Sequence, residues 1–357
     1  MVRHRKPRRR SPRLLPSRAR ERLGLAEGWR VWLAENLARG VTLGRLEAAL
    51  KEHGVAPALV RREAAELVQT GSVRLVTEAL RRARNLELAL RVQRTMWRAR
   101  SEPDSIPRRA GLSAEAFFEQ HYCANKPVIV TDVVGTWPAC DRWTLEHFER
   151  RFGEVKVEAM VGRDADPECD RHFENHRREM TMAELVARWR APGGSESNDV
   201  YMVARNRTLE REEMAPLFDD IAVPEEWLDP DKLRGACSLW LGPAGTVTPL
   251  HHDKNNILFC QIRGTKRIRL VAPFEVEVFD SLRAIYSPID PLAEGDDRHP
   301  ALDRIRVHDV TLESGEALFI PIGWFHHVTA LTQSVSMSFT GFRRDNRFAW
   351  YTPGDLR

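Results

Sequence analysis

Two pieces of this chain, TPLHHDKNNILFCQIRGTK at Thr248 to Lys266 and GEALFIPIGWFHHV at Gly315 to Val328, limit what it can fold into more than any other stretch. In the first, His251 and Asp253 lie two apart, and on a strand that spacing aims both side chains at one face. In the second, His326 closes a β-like apolar run and offers a third ligand from a distant part of the chain. Each residue alone reads as an ordinary core or surface group. Together they make two imidazoles and one carboxylate on one face, a set that suits non-haem Fe(II) and leaves positions open for dioxygen and a co-substrate.

A lysine sharpens that reading. Beyond the Gly264 turn the chain runs KRIRLV, and on a strand Lys266, Ile268 and Leu270 share one face while Arg267 and Arg269 share the other. Burying an unpaired ammonium is costly, so Lys266 implies an anion, and an acidic co-substrate beside the metal would supply it. His252 and His327, each next to a ligand candidate, are expected to point away from it. A register off by one would exchange His327 for His326.

TPLHHD, QIRGTKR and ALFIPIGWFHH, in that order and at this spacing, resemble the cupin-like Jumonji-C family of Fe(II)- and 2-oxoglutarate-dependent oxygenases, the branch of the asparaginyl hydroxylase factor-inhibiting HIF. The resemblance runs from about Pro103 to Arg343. It implies a mainly β fold, a double-stranded β-helix (jelly-roll or cupin) core with flanking helices. It implies Fe(II) on His251, Asp253 and His326, and the distal carboxylate of 2-oxoglutarate on Lys266 and Thr248, with Tyr201 of DVYMV reaching the same co-substrate. Two positions depart from the family pattern. Where many relatives carry an asparagine facing the co-substrate, this chain has Ile257, so either a register shift brings in Asn255 or Asn256, or the pocket is drier. On a late strand, Ser336 and Ser338 stand where an asparagine is expected.

The implied reaction is oxidative decarboxylation of 2-oxoglutarate coupled to hydroxylation of a C–H bond, which requires no acid or base residue. The branch points to a side chain of a protein or peptide as substrate. Hydroxylation of a small metabolite is the alternative enzymatic reading, N-methyl-lysine demethylation a third, and a metal-binding interaction module without turnover the non-enzymatic one. Asp219 and Asp220 are adjacent acids, with no partner carboxylate at a spacing suited to glycoside hydrolysis.

Residues 1–20 carry nine Lys or Arg, three prolines and no acid, too little apolar matter to fold alone. They are expected to form a disordered basic tail, able to dock on an acidic partner. Residues 21–100 show helical spacing broken at Gly40, Gly54 and Gly71, which predicts four helices at roughly 21–38, 43–53, 57–70 and 73–99. They would form a small all-α bundle and the surface available for a homodimer. SEPDSIPRR, from Ser101, reads as the linker into an oxygenase domain spanning residues 101–357. Within it, Trp137 and Trp143 read as core anchors, Ser113 and Thr181 as helix caps, and KPVIVTDV and EVKVEAMV as strands. The polar excursion at 273–310 lies between the strands bearing Asp253 and His326 and is expected to act as a lid.

Five scattered cysteines without a CxxC pair argue against both a disulfide scaffold and a zinc site, and fit a reducing cytoplasm. No apolar run approaches the roughly eighteen residues of a membrane helix.

Overall fold

The computed structural model describes residues 24–100, 105–204, 206–279, 285–291 and 299–348. The basic tail, and parts of the 273–310 excursion at 280–284 and 292–298, lie outside the described residues. The chain divides into two compact units that meet at Val92 and Gln93.

The first unit is helical: α1 (Glu27–Ala38), α2 (Leu43–Glu52), α3 (Pro57–Gln69) and α4 (Ser72–Arg98), whose final turns fall in the second unit. Gly40, Gly54 and Gly71 stand just beyond the first three helices at positive φ, a conformation in which a Cβ is strained. Pro57 occupies the first turn of α3, where its missing N–H costs nothing. The core of this unit, Leu33, Leu46, Leu50, Val60 and Ala64, comes from α1 to α3. The four helices fall close to their expected positions, and the first three supply this buried cluster. The leucines of α4 do not form one stripe, and Leu75, Leu86 and Leu88 are exposed.

The second unit holds all thirteen strands of the described residues. A six-stranded sheet runs β1 (Arg108–Arg109), β2 (Val128–Val130), β11 (Ala317–Ile320), β8 (Ile257–Arg263), β13 (Ser334–Phe339), β6 (Cys237–Gly242). A four-stranded sheet runs β10 (Val307–Leu312), β9 (Lys266–Val271), β12 (Phe325–Ala330), β7 (Val247–His252). Successive strands from β7 to β13 mostly alternate between these sheets. Phe259, Leu318 and Ile320 of the larger sheet share one buried cluster with Ile268, Leu270, Leu312 and Val328 of the smaller, so the two pack face to face. A third sheet, β4 (Arg177–Thr181), β3 (Lys156–Val161), β5 (Val200–Tyr201), brings Tyr201 in beside the larger one.

Local signals hold here as read. Ser113 accepts a hydrogen bond from Ala116 N at the start of its helix, and Thr181 forms a capping box with Glu184. Trp137 and Trp143 are fully buried. Arg108 and Arg109, expected in the linker, instead form an edge strand parallel to β2. Asp220 is buried and accepts from Trp143 Nε1 at 3.0 Å and from Arg142, which makes it a structural acid.

Candidate metal centre

β7 and β12 are antiparallel neighbours, and their register sets His251 directly opposite His326. The pairing then slips: Val328 faces Thr248, so three residues of β7 span two of β12. The slip falls across Pro249 and Leu250 of β7, and Thr248 and His251 line one cavity despite their odd spacing. Period-two reasoning alone would have put them on opposite faces. Asp253 follows the last residue of β7.

The ligand atoms of His251, Asp253 and His326 all lie within 4.8 Å of one another. His326 Nε2 is 3.3 Å and His251 Nε2 4.0 Å from Asp253 Oδ2. Each imidazole is oriented from behind: His251 Nδ1 bonds the Pro249 carbonyl at 2.8 Å and His326 Nδ1 the Trp324 carbonyl at 3.1 Å. A carbonyl only accepts, so each Nδ1 carries the proton and each Nε2 presents a lone pair to the centre. Burial, reinforced by the neighbouring His326, drives the His251 imidazolium down to about 4, which keeps the ring neutral. Burial would raise the Asp253 carboxyl, but its neighbours His326 and His251 hold it low, at about 2, so it is ionised. Two neutral imidazoles and a carboxylate meet the requirements of a divalent first-row metal, and the open side matches the two-histidine, one-carboxylate pattern of non-haem Fe(II). His252 packs against Phe325 and His327 lies buried on the other face, both away from the centre as expected.

A cavity of about 220 Å³ joins the three ligand candidates to Lys266, Thr248 and Tyr201. Lys266 is fully buried, its Nζ donating to Tyr201 Oη at 3.2 Å and otherwise facing the rings of Phe259, Trp240 and Tyr201 at 5.1, 5.9 and 5.7 Å. Among the described residues no carboxylate pairs with it, and burial lowers its ammonium to about 7. A buried cation held by a neutral phenol and aromatic faces is the cradle that a dicarboxylate would complete. Burial raises the Tyr201 phenol, so it stays protonated and available to donate.

Both departures from the family pattern can be placed. Ile257 lines the cavity, whereas Asn256 exchanges hydrogen bonds with Asn346 and Ile322, and Asn255 donates to Asn346 O. Neither asparagine lines the cavity. Ser338 lines the cavity and accepts from Trp240 Nε1 at 3.1 Å, while Ser336 is bonded to Gln261 behind it.

Asp170, Phe173 and Tyr286 also line the cavity, without a sequence signal. Residues 285–287 pair with β7 through His252 N to Ile285 O and Ser287 N to Leu250 O, which lays the Tyr286 ring 5.7 Å from His251. Tyr286 Oη donates to Asp170 O at 3.3 Å, tying the excursion to the segment before Phe173.

Comparison with known proteins gives concordant matches. The model of a family described as a cupin-like domain matches residues 114–342. The chain is 30% identical over 240 residues to the lysine-specific demethylase JMJ30 of Arabidopsis thaliana, covering 66% of this chain and 54% of that protein. It is 28% identical over 242 residues to lysine-specific demethylase 8 of Xenopus tropicalis, covering 66% and 52%. Over 256 residues it is 25% identical to the bifunctional peptidase and (3S)-lysyl hydroxylase JMJD7 of Homo sapiens, covering 62% and 79%. The chain thus spans about half the length of the first two of these relatives.

Proposed function

Because the chain belongs to the cupin-like domain family, whose Jumonji-C demethylases and hydroxylases are Fe(II)- and 2-oxoglutarate-dependent oxygenases, we propose that it hydroxylates a side chain of a protein or peptide. The observation that carries this reading is the single cavity shared by the ligand triad and a buried, anion-less lysine. The alternation of β7 to β13 between two facing sheets supports a double-stranded β-helix core, with the helical unit as a separate domain ahead of it.

His251, Asp253 and His326 are the residues that would hold Fe(II). Lys266, Thr248 and Tyr201 would bind the distal carboxylate of 2-oxoglutarate. When bound, the metal and co-substrate supply the oxidising power for C–H cleavage. The chain's own part is positional: the Pro249 and Trp324 carbonyls fix the two imidazoles, and Lys266 in an apolar wall selects an acid. Ile257, Phe259, Ile320 and Trp240 give the rest of the cavity an apolar wall. Two relatives are named as lysine-specific demethylases and a third as a lysyl hydroxylase, which supports a protein substrate. N-methyl oxidation is the second reading, because it needs the same C–H chemistry. A cytoplasmic setting fits five unpaired cysteines.

Purified protein loaded with Fe(II) is expected to form succinate from 2-oxoglutarate, and to add one oxygen atom to a protein of a cell extract, detected by mass spectrometry. Absence of both, with metal and 2-oxoglutarate bound, would leave only the reading of an interaction module.

A further inference from the structure

The final turns of α4 are not part of the helical unit's core; they pack within the second unit. Trp97 meets Trp324 at 5.4 Å between ring centroids, Phe274 at 5.5 Å and His308 at 6.1 Å. On either side of it, Arg94 and Arg98 reach two buried carboxylates. Arg94 bonds Glu277 at 2.9 Å, and Arg98 bonds Glu275 at 2.8 Å and the Arg304 carbonyl at 2.9 Å. The side chains of Glu275 and Glu277 are 1% and 8% exposed, so these are pairs in a low-dielectric setting, where an uncompensated carboxylate is strongly unfavourable.

The contact leads directly to the metal centre. Trp324 is fully buried, and its indole N–H is anchored on Asn125 at 2.9 Å. Its backbone carbonyl, two residues before His326, accepts the hydrogen bond that fixes the tautomer of that imidazole. Phe274 and Glu275 follow β9, the strand that begins with Lys266. One short helical segment therefore presses on the chain leading into one ligand and on the chain leaving the co-substrate lysine.

We propose that residues 93–98 are a positioning element of the metal centre, in which Trp97, seated by the Arg94 and Arg98 ion pairs, holds Trp324 so that its carbonyl orients His326. This rests on the oxygenase reading only for the identity of the metal; the test uses Co(II) and does not require turnover. Outer partners of metal-bound histidines typically contribute tenfold or more to metal affinity.

In the full-length chain, Trp97→Ala is expected to weaken Co(II) binding about tenfold and to alter the visible Co(II) spectrum, reporting a changed nitrogen ligand. Trp97→Phe should restore most of both. Trp143→Phe, which strips a buried indole from Asp220 in a different buried cluster, is the control for lost stability: it should lower the melting temperature and leave Co(II) affinity unchanged. Should Trp97→Ala fail to fold, Trp97→Leu takes its place with the same expectation. Unchanged Co(II) affinity and spectrum in a folded Trp97 variant, or an equal loss in Trp143→Phe, would overturn the proposal. Wild-type protein that binds Co(II) yet never forms succinate would instead count against the proposed activity and leave this test intact.

Discussion

His326 Nε2 stands 3.3 Å from Asp253 Oδ2, although four strands separate the two residues along the chain. Asp253 supplies the only charge of the triad. Asp253→Ala is expected to abolish retention of Fe(II) and with it succinate formation, while the circular dichroism spectrum is kept. Metal analysis after dialysis checks this; stoichiometric iron in the variant would remove Asp253 from the ligand set.

Lys266 gives a pH dependence with a definite sign. Burial sets its ammonium at about 7 in the free protein, so below that pH it is charged and meets the distal carboxylate directly. Above it, binding must draw a proton from solvent, and affinity for 2-oxoglutarate should fall by up to about tenfold per pH unit. Calorimetry at pH 8.5 in buffers of different ionisation enthalpy should show proton uptake that vanishes at pH 6. Lys266→Met should bind weakly and without this pH dependence; a sloping profile in that variant would assign the titration elsewhere.

Gly242 is where the Tyr201 ring passes. A Cβ there would stand 2.6 Å from Tyr201 Cδ2, so Gly242→Ala must move the ring and with it the hydroxyl that receives Lys266. The expected result is a several-fold rise in KM for 2-oxoglutarate with Co(II) affinity untouched. An unchanged KM would show that Tyr201 contributes nothing to the co-substrate site.

Asp220 tests the opposite assignment, that of a structural acid. Asp220→Ala strands the Trp143 indole N–H in the core and should cost about 1–3 kcal/mol of stability by urea unfolding. Affinity for 2-oxoglutarate should not change. If it does, the acidic pair at Asp219 and Asp220 belongs to the function after all.

The triad and Lys266 could be read from the sequence because strand alternation converts spacing into facing, and because a lysine among alternating aliphatic residues has no cheap explanation. Thr248 came from resemblance alone; the register slip beside it leaves no periodic trace. Asn255 and Asn256 were ambiguous because either could face the pocket, until the mutual amide bonds with Asn346 fixed them elsewhere. Tyr286 and Asp170 carry no sequence signal because they reach the site from segments without a period, and Trp97 because the contacts at the end of its helix are set only by the tertiary fold.

The pairing of β7 with β12 also has a temporal meaning. A ribosome making this chain releases His251 and Asp253 well before His326, with β8 to β11 still to come. The nascent chain therefore holds an incomplete pair of ligands until β12 closes on β7. Such long-range closure is a slow, late step of folding. A complete ligand set therefore exists only once β12 has paired with β7.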